Sequence, residues 1–407
     1  MANTTNHPNN ELIHFQDQLL YDFLRSSPYD QFIGDTPSSP IYMLRDLKSK
    51  GRQINVPLVT QLSGRGVGSG VLSGREEVLD SGAYLIFADW KRNALKTDKN
   101  TSKESSFALK PVFKQTLREW ARNEAIVDMT NMLLAIPTNR VQADRGGDPG
   151  NSVNGITWSA STAAEKNAWW SANSDRVLAG VGASNYATTW AASMANIDSA
   201  ADKMSSAIGE RAKAMARQTG VTVGTTVRNG RPRITPYRVE SDNIKGVGRH
   251  SQEWYTCLMG MRAFRDLKAD MSMATANREA REREGRDPTM NNPLFTGGAL
   301  VKDGIIYVEI PEITQYLTQY GVGFAGIDVE PYFLMGKGAY AYATGQMPIP
   351  TELDNTDYGF FSGYGVEAQY GVGKIAKSPL SDGAGATAGQ LVDWGVVTGF
   401  VAALPDA

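Results

Sequence analysis

A dense run of glycines, in the stretch GRGVGSG, is the first place where this sequence could bind a phosphate. A dinucleotide-binding turn needs the pattern G-x-G-x-x-G between a strand and a helix, because the helix N-terminus holds the pyrophosphate. Counted from Gly64, the third glycine position is occupied by Ser69, and counted from Gly66 it is occupied by Val71. The segment that follows is typical of another strand. The glycines therefore predict a flexible hairpin tip rather than a nucleotide site.

Lys337 lies between Gly336 and Gly338, but this short motif does not complete a P-loop. A P-loop has another glycine five positions before its final glycine, and a Ser or Thr directly after its lysine. Pro331 stands at the first of those positions and Gly338 at the second. We therefore expect no phosphate-binding loop of either kind.

The residue types that usually perform acid–base or nucleophilic catalysis are few and scattered. The chain has three histidines, His7, His14 and His250, and His250 forms an H-x-x-E pair with Glu253. One such pair without a partner motif is weak support for a metal site. The single cysteine, Cys257, lies in an apolar run, which favours a buried side chain over a nucleophile. We therefore expect no enzyme, no cofactor and no bound metal.

Composition narrows the class of protein further. The 407 residues carry a formal net charge of -2, which argues against a protein that binds nucleic acid through broad phosphate neutralisation. One cysteine excludes an internal disulfide and a multi-cysteine zinc site. Neither a signal peptide nor an apolar run long enough to cross a membrane is evident. We expect synthesis in a reducing cytoplasm and no membrane partner.

The elements on either side of the glycines indicate what the loop is for. Two β-rich runs, at residues 54–62 and 83–90, flank it, and together they predict a long antiparallel hairpin. Glu76 and Glu77 are adjacent near the tip, so on a strand they would point to opposite faces and could not share a proton. The loop is therefore interpreted as a projecting arm.

A long helix with one packed face is predicted over residues 107–136. Pro111 is tolerated only in the first turn of a helix, and Pro137 stands where the helix should end. The apolar residues recur at spacings of three and four, which predicts the following core-packing stripe: Phe113, Leu117, Trp120, Val127 and Leu134.

Further elements follow from the same patterns. A second helix is predicted over residues 197–217, and a solvated charged helical face over residues 278–287. Residues 254–259 could be a strand leading into a helix over residues 261–268, or part of one continuous helix from residue 251. A strand is predicted over residues 304–310, and the ending DWGVVTGFVAAL is a candidate buried strand.

Residues 1–50 are predicted to form an arm rather than a domain. An apolar stripe at helical spacing is followed by a proline-rich turn segment that can bury little of itself. Docking on a neighbouring surface explains the stripe, and a mobile tail is the alternative. The stripe consists of Leu12, Phe15, Leu19, Leu20 and Phe23.

The order of these segments resembles the major capsid proteins of tailed bacteriophages, in particular a branch typical of some podophages. The hairpin segment is similar to that branch in its spaced leucines, glycines and paired glutamates, and the motifs WYTCLMGMRAFRDLKAD, NNPLFTGGALVKDGIIYVEI and PYFLMGKGAYAYATG follow in the same order. The likeness extends from about residue 40 to the C-terminus and is weak over residues 138–235. The hairpin positions are Leu62, Gly64, Gly66, Gly68, Leu72, Gly74, Glu76 and Glu77.

The resemblance implies an α+β chain with the fold shared by tailed-phage capsid proteins and encapsulins. That fold has an N-terminal arm, an extended β-hairpin loop, a peripheral domain with a long spine helix, and an axial domain. In this chain the arm would be residues 1–50, the extended loop 51–105 and the spine helix 106–137. Residues 138–407 would form the axial domain with returning peripheral strands.

The resemblance also implies a self-assembling protein with no catalytic site. Copies would associate as hexamers and pentamers into an icosahedral head around double-stranded DNA, held without sequence specificity, in a virion assembled in the host cytoplasm. Expected partners are a portal, a separate scaffolding protein and an optional decoration protein. An encapsulin-like compartment shell and a soluble enzyme are the alternatives. The loop residues expected to contact a neighbouring subunit are Arg65, Gly66, Gly68, Arg75, Glu76 and Glu77.

Overall fold

A computed structural model gives the fold of this chain. It describes residues 27–45, 51–59, 68–71, 73, 81–104, 109–138, 152–218, 222–223, 226–227, 233–244, 248–273, 275, 299–356, 360–377 and 391–405.

Helices and strands are mixed along the described chain. The α-helices are α1 (Lys99–Glu104), α2 (Leu109–Leu133), α3 (Ala163–Ala172), α4 (Trp190–Ala195), α5 (Ser206–Arg217), α6 (Met261–Ala269) and α7 (Pro311–Leu317). The strands are β1 (Ile33–Gly34), β2 (Ile41–Leu44), β3 (Gln53–Val59), β4 (Ser81–Phe87), β5 (Asp89–Asp98), β6 (Val153–Asn154), β7 (Val177–Ala179), β8 (Thr222–Val223), β9 (Thr226–Val227), β10 (Arg238–Ile244), β11 (Gly248–Met259), β12 (Ala299–Lys302), β13 (Ile305–Glu309), β14 (Val329–Met335), β15 (Tyr340–Thr356), β16 (Phe361–Lys374), β17 (Ala376–Lys377), β18 (Val392–Asp393) and β19 (Val396–Ala402).

Two large sheets organise these elements. The first sheet has the order β1-β2-β15-β16-β5, with β6 added to β16. The second sheet has the order β12-β13-β11-β14-β19-β7, with β10 added to β11. One apolar core touches both sheets, because it includes Tyr340 and Tyr370 of the first and Phe333 and Phe400 of the second. The two sheets therefore share a single folding unit.

The long helix α2 lies across the first sheet and packs mainly on β16. It begins and ends within the predicted range of residues 107–136, and Pro111 stands in its first turn, as expected. Its buried face differs from the predicted stripe. Leu117 and Leu134 are buried, but Leu134 follows the last helical residue, and Phe113, Trp120 and Val127 are only half-buried.

Small and unbranched side chains contribute much of the buried face of α2, beside the branched Leu117 and Ile126. Because Ala121, Ala125 and Met129 have short or flexible side chains, the helix approaches the sheet closely. The apolar pattern alone favoured the larger residues and so selected a stripe displaced toward the edge of the interface. Completely buried side chains continue to the end of the helix, at Met132 and Leu133.

The second predicted helix, over residues 197–217, is shorter than expected. Helix α5 begins at Ser206, and the preceding residues form turns held by Asp202. The buried Asp202 carboxylate accepts hydrogen bonds from the backbone N–H of Val181 at 2.7 Å and of Asp198 at 2.8 Å. A local carboxylate that bonds backbone amides offers an alternative to helix, which explains the error.

The remaining element predictions agree with the structure where they can be compared. The segment at residues 254–259 is a strand within β11 that leads into helix α6, so the continuous-helix alternative is wrong. Strands β13 and β19 confirm the predicted strand at residues 304–310 and the buried C-terminal strand. The charged run at residues 278–287 lies outside the described residues.

The described end of the arm, residues 27–45, packs on its own subunit. Strand β2 pairs in parallel with β15, so the arm residue Ile41 lies opposite Tyr340. The Tyr29 hydroxyl and the Thr130 hydroxyl on α2 form a buried hydrogen bond of 2.7 Å. Leu12 and the rest of the predicted arm stripe lie outside the described residues.

Candidate assembly surfaces

The base of the predicted hairpin is an antiparallel strand pair. Strands β3 and β4 pair from Gln53 opposite Phe87 to Val59 opposite Ser81, which confirms that the two apolar runs form a hairpin. Side chains of β3 alternate between exposed and buried, as expected for a strand with one packed face. The inward residues Ile54, Val56 and Leu58 form a core with residues of β15 and of the C-terminal region. The hairpin is therefore anchored at its base, on the side of the first sheet opposite α2.

Most of the hairpin tip lies outside the described residues. Of the predicted contact residues, Arg65, Gly66, Arg75, Glu76 and Glu77 all fall there. Gly68 is described and exposed, and no atom lies within 4 Å of the position that a Cβ would take. Its own subunit therefore does not require glycine at this position. A contact role for these six residues remains a prediction.

A buried ionic cluster connects α2 to strand β5. Lys91 Nζ contacts the Asp128 carboxylate and lies 2.6 Å from Glu124 Oε1. The Tyr370 hydroxyl donates a hydrogen bond of 2.7 Å to Asp128 Oδ2. Burial raises the pKa of Asp128 although Lys91 and the hydroxyl oppose the shift. The cluster fixes the long helix against the edge strand. No sequence pattern predicts it, because its members are far apart in the chain.

A second buried ion pair lies between the C-terminal strands and a group of tryptophans. Lys374 Nζ donates to Asp393 Oδ2 at 3.1 Å, and both side chains are almost completely buried. Trp169 Nε1 lies 3.3 Å from both oxygens of Asp393. Burial lowers the pKa of Lys374, while Asp393 opposes that shift. A reactant has no access to this pair, so its role is structural.

Four tryptophans form an aromatic cluster around Phe400. Trp158 meets Trp169 and Trp190 edge to face, at ring-centroid distances of 5.6 Å and 5.2 Å. Trp170 and Phe400 lie 6.0 Å apart. These four tryptophans therefore contribute to the main core.

Of the candidate catalytic residues, Glu253 and Cys257 have side chains that the structure describes, and these two do not form a site. His250 lies on strand β11, three residues before Glu253. Glu253 accepts a hydrogen bond of 2.6 Å from Arg217. Cys257 is buried, and burial raises the pKa of its thiol. His7 and His14 lie outside the described residues.

Among the described residues, no group of three His, Cys, Asp or Glu side chains is placed to hold a metal ion. No described helix is both long and apolar enough to span a membrane.

Similarity to known proteins is extensive. The family model described as "Phage capsid protein" matches residues 3–398. The fold is similar to the capsid protein of cyanophage Pam1, with a TM-score of 0.73 and 26% identity over 94% of both chains. It is also similar to the capsid of Ralstonia phage GP4, with a TM-score of 0.62 and 17% identity over 94% of this chain and 93% of that one.

A third solved structure shares the fold at lower identity. The capsid of Helicobacter pylori bacteriophage KHP30 matches with a TM-score of 0.61 and 15% identity, over 93% of this chain and 92% of that one. No curated protein matches the chain.

Proposed function

The chain belongs to the phage capsid protein family, and from this premise we propose that its hairpin and arm join copies of it into hexamers and pentamers. It is a major capsid protein of the icosahedral head, it has the tailed-phage capsid fold, and it is a structural protein rather than an enzyme. The capsid function is supported most directly by the family match over residues 3–398, together with the fold match over 94% of the chain.

Domain roles are part of the proposal. Residues 1–50 act as the arm, 51–105 as the extended loop and 106–137 as the spine helix, while 138–407 supply the axial domain and returning peripheral strands. The anchored base of β3 and β4 supports the loop assignment, because an extended loop needs paired strands held at its base. The described end of the arm packs on its own subunit, where strand β2 extends the first sheet.

The hairpin tip is proposed to cover a neighbouring subunit. Arg65, Arg75, Glu76 and Glu77 carry charges of both signs, which suits pairing with a mixed-charge surface and sets register more than affinity. Glycines at the tip allow one loop sequence to bend differently in pentamers and hexamers.

Finer partners also remain proposals. The head would enclose double-stranded DNA without sequence specificity and would assemble in the host cytoplasm with a portal, a separate scaffolding protein and an optional decoration protein. The order of four motifs in the sequence supports the podophage branch. A nanocompartment shell would share the fold, and enzyme cargo that co-purifies with the particles would favour that alternative.

Deletion of residues 65–73 tests the hairpin proposal. The subunit should keep its fold, since the deleted residues lie beyond the paired strands β3 and β4, and it should fail to build shells. Circular dichroism and thermal unfolding measure the fold, and negative-stain imaging measures assembly. Shells of normal size from the deleted protein would show that the tip does not join subunits.

A further inference from the structure

A rigid loop with exposed aromatic side chains follows helix α7. The segment Gln319–Val329, called here the aromatic loop, is closed at its base by reciprocal backbone hydrogen bonds between Gln319 and Val329, at 2.8 Å and 2.9 Å. Tyr320 and Phe324 are 62% and 63% exposed, among the most exposed large apolar side chains of the described residues. Exposure of apolar side chains to water costs free energy. The exposure of two large aromatic side chains on one short loop therefore indicates a binding surface.

The loop is held in one shape by its surroundings. Phe324 N donates to Ile197 O at 2.9 Å, and Gly321 N donates to Asp328 Oδ1 at 3.0 Å. The other oxygen of Asp328 accepts from Arg262 at 2.7 Å, which connects the loop to helix α6. Ala325 has a φ of 56°, a backbone conformation that non-glycine residues rarely adopt. Such strain persists only where the surrounding structure imposes it, and a preorganised loop loses little entropy when it binds.

Charged residues are absent from most of the loop sequence, and its one charged residue, Asp328, is paired with Arg262. Residues 313–327 contain no Asp, Glu, Lys or Arg, although 21% of the whole chain is charged and a segment of that length would average about three. The neighbouring segment 177–197, which includes α4 beside the loop, is also uncharged. Interface cores are depleted of charge and enriched in Tyr and Phe. These two uncharged segments supply no cation to bind the phosphates of DNA.

We propose that the aromatic loop is a subunit interface, covered in the assembled head by a second copy of this chain. The proposal rests on the capsid function and names a surface for it. Self-association is the one association that the fold matches support. Tyr320 and Phe324 together expose roughly 250 Å², about a third of the ~800 Å² that each partner of a standard interface buries. They are the residue types that dominate binding energy at such interfaces.

The double variant Tyr320→Ser/Phe324→Ser tests the proposal by assembly. Both side chains point into solvent in the subunit, so thermal unfolding of the unassembled protein should stay as in the wild type. The concentration at which shells form should rise by roughly tenfold or more, as for the loss of an interface hot spot. Met271→Ser is the matched control, because Met271 is 82% exposed and lies outside the loop. Equal assembly by wild type and double variant, or equal loss in the control, would overturn the proposal while leaving the capsid function intact.

Thiol labelling of Phe324→Cys measures burial directly. The native Cys257 is buried and gives little background. A small maleimide should label position 324 rapidly in the unassembled protein and far more slowly in shells built from purified protein. Unchanged labelling in those shells overturns the proposal. If protection then appears only in complete virions, a different head protein covers the loop. Failure of the wild type to form any shell, both alone and in its natural lysate where a scaffolding protein is present, would instead contradict the proposed function.

Discussion

At the scale of single residues, the structure depends on a few buried charges that are far apart in the sequence. Lys91 lies 37 positions from Asp128 in the sequence. Lys374 pairs with Asp393, which also accepts a hydrogen bond from Trp169. A buried ion pair adds little net stability, but removal of one partner leaves an uncompensated charge in a poorly solvated place. Such buried pairs therefore constrain how helices and strands pack more than they raise the free energy of unfolding.

Lys91→Met should destabilise the subunit by about 3–5 kcal/mol, because the Asp128 carboxylate would lose its cation inside the core. The double variant Lys91→Met/Asp128→Asn should recover part of that loss. Chemical denaturation of the unassembled protein measures both free energies of unfolding. Arg92→Met is the matched control. Arg92 is mostly exposed and lies 3.6 Å from Glu367, so its loss should cost less than about 1 kcal/mol. Equal effects of Lys91→Met and Arg92→Met would contradict a buried cluster.

The carboxyl group of Glu330 predicts a pH dependence. It is buried between α6, α7 and β14, where it accepts hydrogen bonds from Thr314 and from Ala263 N, with Arg262 as the nearby cation. Burial nevertheless raises the pKa of Glu330. A raised pKa in the folded state means that the contribution of this group to stability is present at low pH and is lost as pH rises through the folded pKa.

Glu330→Gln should therefore gain stability relative to the wild type as the pH rises from about 4 to about 7. Denaturant unfolding of both proteins across that range measures the difference. A difference that does not change with pH would show that the Glu330 carboxyl titrates in the folded protein as it does in water.

At the scale of elements, the sequence predicted the hairpin, helix α2 and the C-terminal strand, because each has a local period that its packing preserves. It missed the true buried face of α2, where Ala121 and Ala125 allow close approach and large residues such as Trp120 remain half-buried. The predicted start of helix α5, at residue 197, was also too early, because the residues before Ser206 form turns that the Asp202 carboxylate holds. The sequence shows that residues 313–327 are uncharged, but only the tertiary structure shows that Tyr320 and Phe324 are exposed.

Leu117→Ala should destabilise the subunit by about 2–5 kcal/mol, because Leu117 is 4% exposed and its truncation leaves a cavity between α2 and the sheet. Val112→Ala, on the exposed face of the same helix, should change the free energy of unfolding by about 0.5 kcal/mol or less. Trp120→Ala should cost less than a fully buried tryptophan would. The orientation of α2 on the sheet would be wrong if Val112→Ala proved as costly as Leu117→Ala.

At the scale of the whole molecule, a single folding unit displays a hairpin on one side and an aromatic loop elsewhere. Among the described catalytic candidates, His250, Glu253 and Cys257 all lie on strand β11. The area that a subunit does not bury within itself is available for its neighbours, and many weak contacts reinforced by closure make a shell stable.

Imaging and mass measurement of the purified protein test the central claim most directly. The wild-type chain, expressed alone or in its natural lysate and examined by negative-stain microscopy and light scattering, should form closed icosahedral shells whose mass corresponds to very many copies. A uniform small oligomer of a few copies under the same conditions would contradict the assignment of this chain as a head-forming capsid protein.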